Sequence, residues 1–293
     1  MMLSRPHVVG LVLASVALAA SEAPTARGHL DLQWRPASPG VDRALVDVSG
    51  RGEGWATRIL AVRIDPARVT FRLRSRVLRS APGWSVDDAP DTAVVAVNAG
   101  QFSGSTPWGW VVSDGKEVQR PGSGPLSAAV AWDVAGRLRW FNQQDIARHR
   151  STGEIVEAFQ SYPTLLDARG RIPRPLTVEG LGIDVDHHDA RLAMGVLPDG
   201  RLLLALTRFH GLGALSPPLP VGLTLAEMAA VMRGFGCTRA LSLDGGVSAQ
   251  LLLSTNGHRE VWRGWRSVPL GLVAEPRGQS SIAASDVGGP NGN

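Results

Sequence analysis

The chain has 293 residues, 44% of them hydrophobic, which is enough for one large domain or two small domains with an ample core. Its 30 basic residues exceed its 26 acidic ones by four, and Lys116 is the only lysine. The arginines are scattered rather than clustered, which argues against a nucleic-acid partner. The single cysteine, Cys237, excludes an intrachain disulfide, and its place before an apolar run favours a buried hydrophobe over a nucleophile.

The N-terminal residues 1–20 have the pattern of a secretory signal peptide, in which Arg5 and His7 precede an apolar stretch that ends in small residues. That stretch is short for a bilayer span, which favours a cleaved signal over a retained membrane anchor. We therefore expect an exported protein, periplasmic or secreted, with no stable membrane anchor. Residues 28–275 are expected to form one folded domain, and residues 276–293, rich in Gly, Ser, Pro and Asn, a disordered tail.

The first third of the domain is predicted to consist mainly of strands. Residues 44–48, 57–65 and 69–74 show partial period-two alternation, and a turn at 65–68 predicts that the last two strands form a hairpin. Every second residue from 72 to 76 is an arginine, so Arg72, Arg74 and Arg76 are expected to lie on one face of the last strand. They could attract an anion, but a solvated sheet face is the favoured interpretation.

Two more strand pairs are predicted in the middle of the chain. Residues 108–112 precede an Asp-Gly turn at 114–115, and residues 128–133 pair with residues 137–141. Trp108 and Trp110 could stack on a sugar ring, although aromatic side chains in strands more often pack in a core.

A helix is predicted where Thr224 and Glu227 form a capping box, with Gly236 as its C-terminal cap. An apolar strand follows and ends at Asp244-Gly245-Gly246. The many hairpins and few helices predict an α+β single domain built on a mixed, mostly antiparallel sheet.

Two predicted strands end in a polar residue next to glycine, and such strand ends are candidate site positions. One is Asp244 before Gly245 and Gly246; the other is Asn98 before Gly100. An Asn amide can orient a phosphate or a sugar hydroxyl because it both donates and accepts hydrogen bonds. The alternative for each is a tight turn in which the polar side chain caps its own backbone.

Residues 184–189 form the one segment with the composition of a metal site. His187 and His188 are adjacent, so on an extended chain they point to opposite faces and do not easily share an ion. A solvated polar loop is the favoured interpretation, and no metal ligands are predicted. The alternative to a metal-free site is a divalent cation held by Asp244, so the cofactor is unknown.

Several segments, in order over roughly residues 90–275, resemble the phosphodiester glycosidase family, which has many exported bacterial members. The segment around Asn98 is similar to the family's Asn-Gly-Gly-Phe-Phe, and the one that contains Gln160 and Ser161 is similar to Gln-Ser-Gly-Pro. The segment that begins at Arg191 is similar to Arg-Thr-Ala-Ile-Gly. The remaining matches are the Gly-Leu-Thr-Leu run at 222–225, the Asp-Gly-Gly run at 244–246 and the Arg-x-Val-Pro run at 266–269.

The resemblance implies a hydrolase that cleaves the glycosidic bond of a sugar-1-phosphodiester, on a small molecule or a glycan, releasing sugar and a phosphate monoester. The phosphate leaves readily, so a cation can replace much of the acid catalysis that ordinary glycosidases need. On this hypothesis Asp244 is base or nucleophile, Arg191 binds phosphate and Asn98 orients substrate. The remaining expected substrate contacts are Gly100, Gln160, Ser161, Gly245, Gly246, Ser248 and Arg266.

The chain departs from the family pattern at Ala99 and Gln101, which replace a glycine and an aromatic residue, and at Val247, which replaces a glycine. These departures leave open a non-catalytic, secreted module that binds carbohydrate or phosphate on the same scaffold. A peptidase or esterase that uses Ser248 is less favoured, because Gly-Gly-Val-Ser lacks the nucleophile-elbow pattern.

Overall fold

The computed structural model describes residues 32–48, 57–75, 83–209 and 222–278. The expected signal peptide, the first residues of the expected domain, Arg76 and most of the expected tail lie outside these ranges. In chain order the elements are β1 Arg35–Ser38, β2 Val41–Val48, β3 Thr57–Ile64, β4 Val69–Arg74, β5 Val95–Asn98, β6 Gln101–Ser103, β7 Thr106–Trp108, β8 Val111–Ser113, β9 Lys116–Gln119, β10 Ala128–Asp133, β11 Leu138–Asn142, α1 Gln143–His149, β12 Ile155–Ser161, β13 Thr164–Leu166, β14 Leu192–Val196, β15 Leu202–Phe209, α2 Leu225–Gly234, β16 Arg239–Leu243, β17 Leu251–Thr255, β18 His258–Trp262 and β19 Gly271–Pro276.

These strands form three sheets and a small ribbon. The first sheet has seven strands in the order β1-β2-β3-β15-β14-β16-β13, the second has β11-β10-β12-β8-β9 and the third has β18-β17-β5-β19-β4. β6 and β7 form the ribbon. Neighbouring strands in the described part of the chain are antiparallel. The predicted α+β class, with a mostly antiparallel sheet, few helices and a single domain, is confirmed.

All three sheets turn one face to a common hydrophobic core. The first sheet contributes side chains such as Leu204 and Leu241, the second Phe159 and the third Val97 and Leu272. Alternation along each strand places every second side chain in this core and leaves a second face to be covered. The core therefore fixes how the strand ends of different sheets lie relative to one another.

The outer faces are covered by different elements. The helix α2 packs Met228, Ala229 and Met232 on the first sheet, and α1 places Ile146 on the second. Trp84 and Val268 lie on the third sheet. Among the described helices, none is long and apolar enough to cross a membrane.

The helix α2 begins where the sequence predicts. The Thr224 side chain accepts a hydrogen bond from the Glu227 amide, and Glu227 accepts one from the Thr224 amide in return. Gly236 follows the helix with a φ of 85°, which glycine adopts without steric cost. Cys237 is buried against this region, and burial raises the pKa of its thiol to about 12. The thiol is therefore protonated at neutral pH, as expected of a buried hydrophobe.

The predicted hairpin between β3 and β4 is wrong. β3 pairs with β2 and β15 in the first sheet, whereas β4 pairs with β19 in the third. The turn at Asp65 exists, but it carries the chain from one sheet to another. Period-two alternation shows which side chains face a core and does not show which strand lies alongside, so it could not distinguish a hairpin from a crossover.

The arginine face of β4 is occupied by ion pairs. Arg72 lies 3.5 Å from the Glu157 carboxylate and Arg74 lies 3.3 Å from that of Glu275. Carboxyl groups of the protein thus lie against these arginine side chains, which agrees with the favoured interpretation of a sheet face rather than an anion site.

Candidate active site

One cleft of about 420 Å³ lies where strand ends from all three sheets meet. β5 ends at Asn98, β16 ends immediately before Asp244, β12 ends at Ser161 and β14 begins immediately after Arg191. The cleft is lined by three aromatic side chains and three charged ones, which are Phe102, Trp108, Tyr162, Asp189, Arg191 and Asp244. Such a wall suits a ligand with both an apolar ring face and polar or charged groups.

Asp244 is held at the cleft by its backbone. Its N–H donates to the Gly100 carbonyl at 3.0 Å, and its carbonyl accepts from the Asn98 side-chain amide at 2.8 Å. The other end of Asn98 accepts from the Gln250 amide at 3.0 Å. Asn98 is fully buried, so its role is better described as positioning the Asp244 turn than as touching a substrate.

The Asp244 carboxyl is partly removed from water, and this burial raises its pKa. The negative charge of Asp189 raises the pKa further, whereas a hydrogen bond from the Ser248 hydroxyl and the positive charge of Arg266 oppose the shift. A carboxylate with a raised pKa is a stronger base than an ordinary aspartate. Ser248 thus contacts Asp244 itself, from a buried position.

The Arg191 guanidinium bonds two backbone carbonyls and also lines the cleft. Its Nε donates to the Leu223 carbonyl at 2.7 Å, and one amino group donates to the His187 carbonyl. Burial lowers its pKa, and the nearby Asp189 and Glu227 carboxylates oppose that shift. Its other amino group, Nη1, has no hydrogen-bond partner within the described residues, which leaves it for an anion in the cleft.

The two glycines after Asp244 allow the chain to approach a neighbouring segment closely. A Cβ atom at Gly245 would lie 2.5 Å from the Ala190 carbonyl oxygen, and one at Gly246 would lie 2.6 Å from Asp189 Oδ2. The Gly246 N–H donates to the Ala190 carbonyl at 2.7 Å, so this amide does not face a ligand. Gly245 does line the cleft.

Three expected substrate contacts lie beneath the site. Gln160 is buried, and its side chain bonds the backbone of Trp110 and Gly122. The Ser161 hydroxyl donates to the Ser242 carbonyl at 2.6 Å. A Cβ atom at Gly100 would lie 2.9 Å from the Gln160 carbonyl. Their polar groups are bonded within the protein, a geometry that favours a supporting role over the expected contact with substrate.

The two tryptophans expected as candidates for stacking on a sugar ring, Trp108 and Trp110, lie in different environments. Trp108 lines the cleft, with its ring centroid 6.2 Å from that of Tyr162. Trp110 is buried, and its indole N–H donates to Glu117 at 3.0 Å. At the cleft edge the Arg266 guanidinium lies 4.9 Å from the centre of the Phe102 ring. Such stacking holds a cation in place while its N–H groups stay available.

Asp189 is the residue of the cleft that sequence reasoning did not select. It belongs to the polar segment at 184–189, for which a solvated loop was favoured. A bridge pairs the backbone of Asp189 with that of Leu223 and turns its carboxylate into the cleft. The described residues contain no group of three or more His, Cys, Asp or Glu side chains that could hold a metal.

Comparisons with known proteins agree with this architecture. A model of the phosphodiester glycosidase family matches residues 91–275, which is more than half of the chain. A search of curated proteins finds no match.

Two solved structures have a similar fold. One is the catalytic domain of zebrafish N-acetylglucosamine-1-phosphodiester α-N-acetylglucosaminidase, auto-inhibited by its pro-peptide. It is 20% identical with a TM-score of 0.60, and the match covers 87% of this chain and 91% of that one. The other, from Burkholderia pseudomallei, is described as an exported protein; it is 16% identical with a TM-score of 0.52, over 75% and 74% of the two chains.

At these identities the structural matches establish the fold, and the family match extends over all of the residues that line the cleft. The protein belongs to the phosphodiester glycosidase family.

Proposed function

We propose that this protein is an exported hydrolase that cleaves the bond between the anomeric carbon of a sugar and the oxygen of a phosphodiester. The observation that carries the proposal is a partly desolvated carboxylate, Asp244, in a cleft that also holds the arginine side chain of Arg191 and has Arg266 at its edge. Family membership supports the reaction class. The N-terminal sequence pattern and the exported structural relative support export.

The reaction needs one group near the anomeric carbon and one cation near the phosphate. The C1–O bond breaks, and its electron pair goes to the phosphate oxygen. Asp244 acts at C1 as base or nucleophile, and its raised pKa makes it the stronger base. The arginines neutralise the charge on the departing phosphate monoester, so little acid catalysis is required.

The phosphate has two candidate partners. Arg191 offers Nη1 from within the cleft, while Arg266 is exposed at the edge and its charge already acts on Asp244. A phosphodiester oxygen can accept hydrogen bonds from both guanidinium groups, since each presents N–H donors in a planar fork. The sugar would then lie toward Trp108 and Tyr162, whose rings provide an apolar face.

The test is sugar release from a panel of sugar-1-phosphodiesters, measured for the wild type and for Asp244→Asn. We expect turnover by the wild type and a loss of at least ~10²-fold in the variant, with similar binding of a phosphate-ester ligand and a similar melting temperature. The matched control is Asp199→Asn, because Asp199 also stands in a strand-end turn before a glycine but is paired with Arg201 away from the cleft.

Full turnover by Asp244→Asn would refute the assignment. Tight binding across the panel with no sugar released by the wild type would instead identify the secreted carbohydrate- or phosphate-binding module. A loss of turnover after exhaustive chelation, restored by a divalent cation, would show that turnover needs a metal and would favour the alternative in which Asp244 holds it.

A further inference from the structure

A second carboxylate shares the cleft with Asp244. Asp189 lines the same cleft, and its side chain is only 18% exposed. Gly246, two residues after Asp244, packs directly against Asp189 Oδ2, because a Cβ there would lie 2.6 Å from that oxygen. Burial is the main cause of the raised Asp244 pKa, and the negative charge of Asp189 adds a smaller contribution in the same direction. The two carboxylates therefore face one small volume.

The position of Asp189 is fixed by the fold. Its N–H donates to the Leu223 carbonyl at 3.2 Å, and its own carbonyl accepts from the Leu223 N–H at 3.0 Å. Gly222 makes this approach possible, since a Cβ there would lie 2.4 Å from the Asp189 carbonyl oxygen. On the side chain, Oδ1 accepts from the Ala190 amide at 2.8 Å. Oδ2 is the atom left for a ligand or a water molecule.

Charged groups lie on two sides of Asp189. His187 Nε2 lies 3.6 Å from Asp189 Oδ2, and the His187 side chain is 57% exposed. On the other side, the Asp189 charge interacts with the Arg191 guanidinium. The carboxylate of Glu227 interacts with the same guanidinium. The carboxylate thus connects the interior of the cleft to an imidazole that reaches solvent.

We propose that Asp189 is a second catalytic carboxylate of this cleft, and that it accepts the proton of the water molecule that attacks the anomeric carbon. This inference rests on the proposed hydrolysis of a sugar phosphodiester. The two carboxylates then have separate roles. Asp244 faces the anomeric carbon and Asp189 activates water, as two carboxylates do in many glycosidases.

The step balances in atoms and electrons. The water oxygen forms a bond to C1, and the bond from C1 to Asp244 or to the phosphate oxygen breaks, with its electron pair passing to that oxygen. The water proton goes to Asp189 Oδ2, and a water molecule then carries it to solvent. The products are the free sugar and a phosphate monoester.

The first experiment is chemical rescue of Asp189→Ala. We expect turnover of a sugar-1-phosphodiester to fall by about 10²-fold or more with little change in KM. Sodium formate should restore turnover by supplying a base, and sodium azide should yield a glycosyl azide, because azide attacks C1 without needing its proton removed. Asp186→Asn, an exposed residue of the same loop, is the control and should keep wild-type turnover.

Two results would overturn the inference. One is wild-type turnover by Asp189→Ala. The other is an inactive but folded Asp189→Ala that neither formate nor azide restores, which would make Asp189 a positioning residue. An unfolded Asp189→Ala is replaced by Asp189→Asn, which preserves the side-chain volume and should show the same loss of turnover.

The second experiment does not depend on activity. The Asp244 carboxyl is titrated by ¹³C NMR in the wild type and in Asp189→Asn. We expect a lower Asp244 pKa in the variant, because a negative charge that opposes ionisation is removed. An unchanged Asp244 pKa would show that the carboxylates do not share one site. If the wild type cleaves no phosphodiester while the Asp244 pKa still falls, the proposed function fails and the carboxylate pair stands.

Discussion

At the scale of single residues, Asp244 is one of several described carboxyls whose pKa burial affects. Besides Asp244, Glu157 of β12 is only 1% exposed, and its Oε2 accepts from the Leu73 amide at 3.1 Å. Burial raises the Glu157 pKa to about 7, although the Leu73 amide and Arg72 oppose the shift. Glu157 therefore binds a proton over a pH range in which an unfolded chain has already released it.

The raised Glu157 pKa predicts how the stability of the protein changes with pH. Between the ordinary glutamate value of 4.5 and about 7, the folded protein holds more protons than the unfolded chain, so the free energy of unfolding falls as pH rises. The fall attributable to Glu157 is at most ~3 kcal/mol. Urea unfolding at several pH values measures it.

Glu157→Gln should flatten this part of the pH dependence, since a glutamine keeps an acceptor for the Leu73 amide without a titrating group. The exposed Glu154, next to the same strand, provides the control variant Glu154→Gln, which should leave the slope unchanged. A Glu157→Gln protein with the wild-type slope would contradict the assignment of this pH dependence to Glu157.

The strand-end pattern selected Asp244 and Asn98, and the family resemblance added Arg191; Asp244 and Arg191 line one cleft. These sequence signals were not sufficient to assign roles. Asn98 has both ends of its amide bonded within the protein, and Gln160 bonds buried backbone groups. Whether an amide faces a ligand or a neighbouring loop depends on tertiary contacts that a local pattern does not encode.

At the scale of elements, the cleft depends on the close approach of two segments, the turn that follows β16 and the stretch that precedes β14. Gly246 has a φ of 56° and its amide bonds the Ala190 carbonyl. The sequence predicted a strand end with glycines here, and the structure gives the reason for Gly246: Asp189 occupies the space where a side chain would be.

Gly246→Ala should therefore impair turnover more than stability. The new Cβ would displace the Asp189 carboxylate, and a misplacement of ~1 Å in a catalytic group can reduce kcat by about 10²-fold. Gly180→Ala is the matched control, because Gly180 also has a positive φ, of 77°, but has open space around its Cβ position. Both variants carry backbone strain, so their melting temperatures should fall by similar amounts.

Kinetics and thermal unfolding of the two glycine variants distinguish steric displacement from strain. Equal kcat values for Gly246→Ala and Gly180→Ala would mean that the contact with Asp189 does not matter for turnover. Asp189 itself could not be selected from sequence, because its direction is set by the bridge to Leu223, which lies far along the chain.

At the scale of the whole molecule, class and element positions were predictable, whereas the arrangement of the sheets was not. The hairpins β10–β11 and β14–β15 and the helix α2 follow from local turns, caps and periodicity. The assignment of β3 and β4 to different sheets follows from a common core that all three sheets build. Local patterns specify which face of a strand is apolar. The packing of distant strands decides which strands are neighbours in a sheet.

The cleft belongs to this whole-molecule arrangement, since β5, β12 and β16 reach it from three different sheets. A chain with 20% identity to the zebrafish catalytic domain can keep such an arrangement, because core positions require apolar character and volume more than particular residues. The cleft side chains are where this chain can differ in ligand, and Gln101, which bonds the Tyr162 carbonyl at 3.0 Å, is one such difference.

In the proposed complex, Asp244 faces the anomeric carbon of a sugar whose phosphate lies at the arginines. The most direct measurement is a crystal structure of the protein with a non-hydrolysable sugar-1-phosphonate ester. We expect the anomeric carbon within about 3.5 Å of an Asp244 carboxylate oxygen, the phosphonate on Arg266 or Arg191 Nη1, and the sugar ring against Trp108 or Tyr162. A ligand bound outside this cleft, or bound in it with the anomeric carbon directed away from Asp244, would refute the role proposed for Asp244.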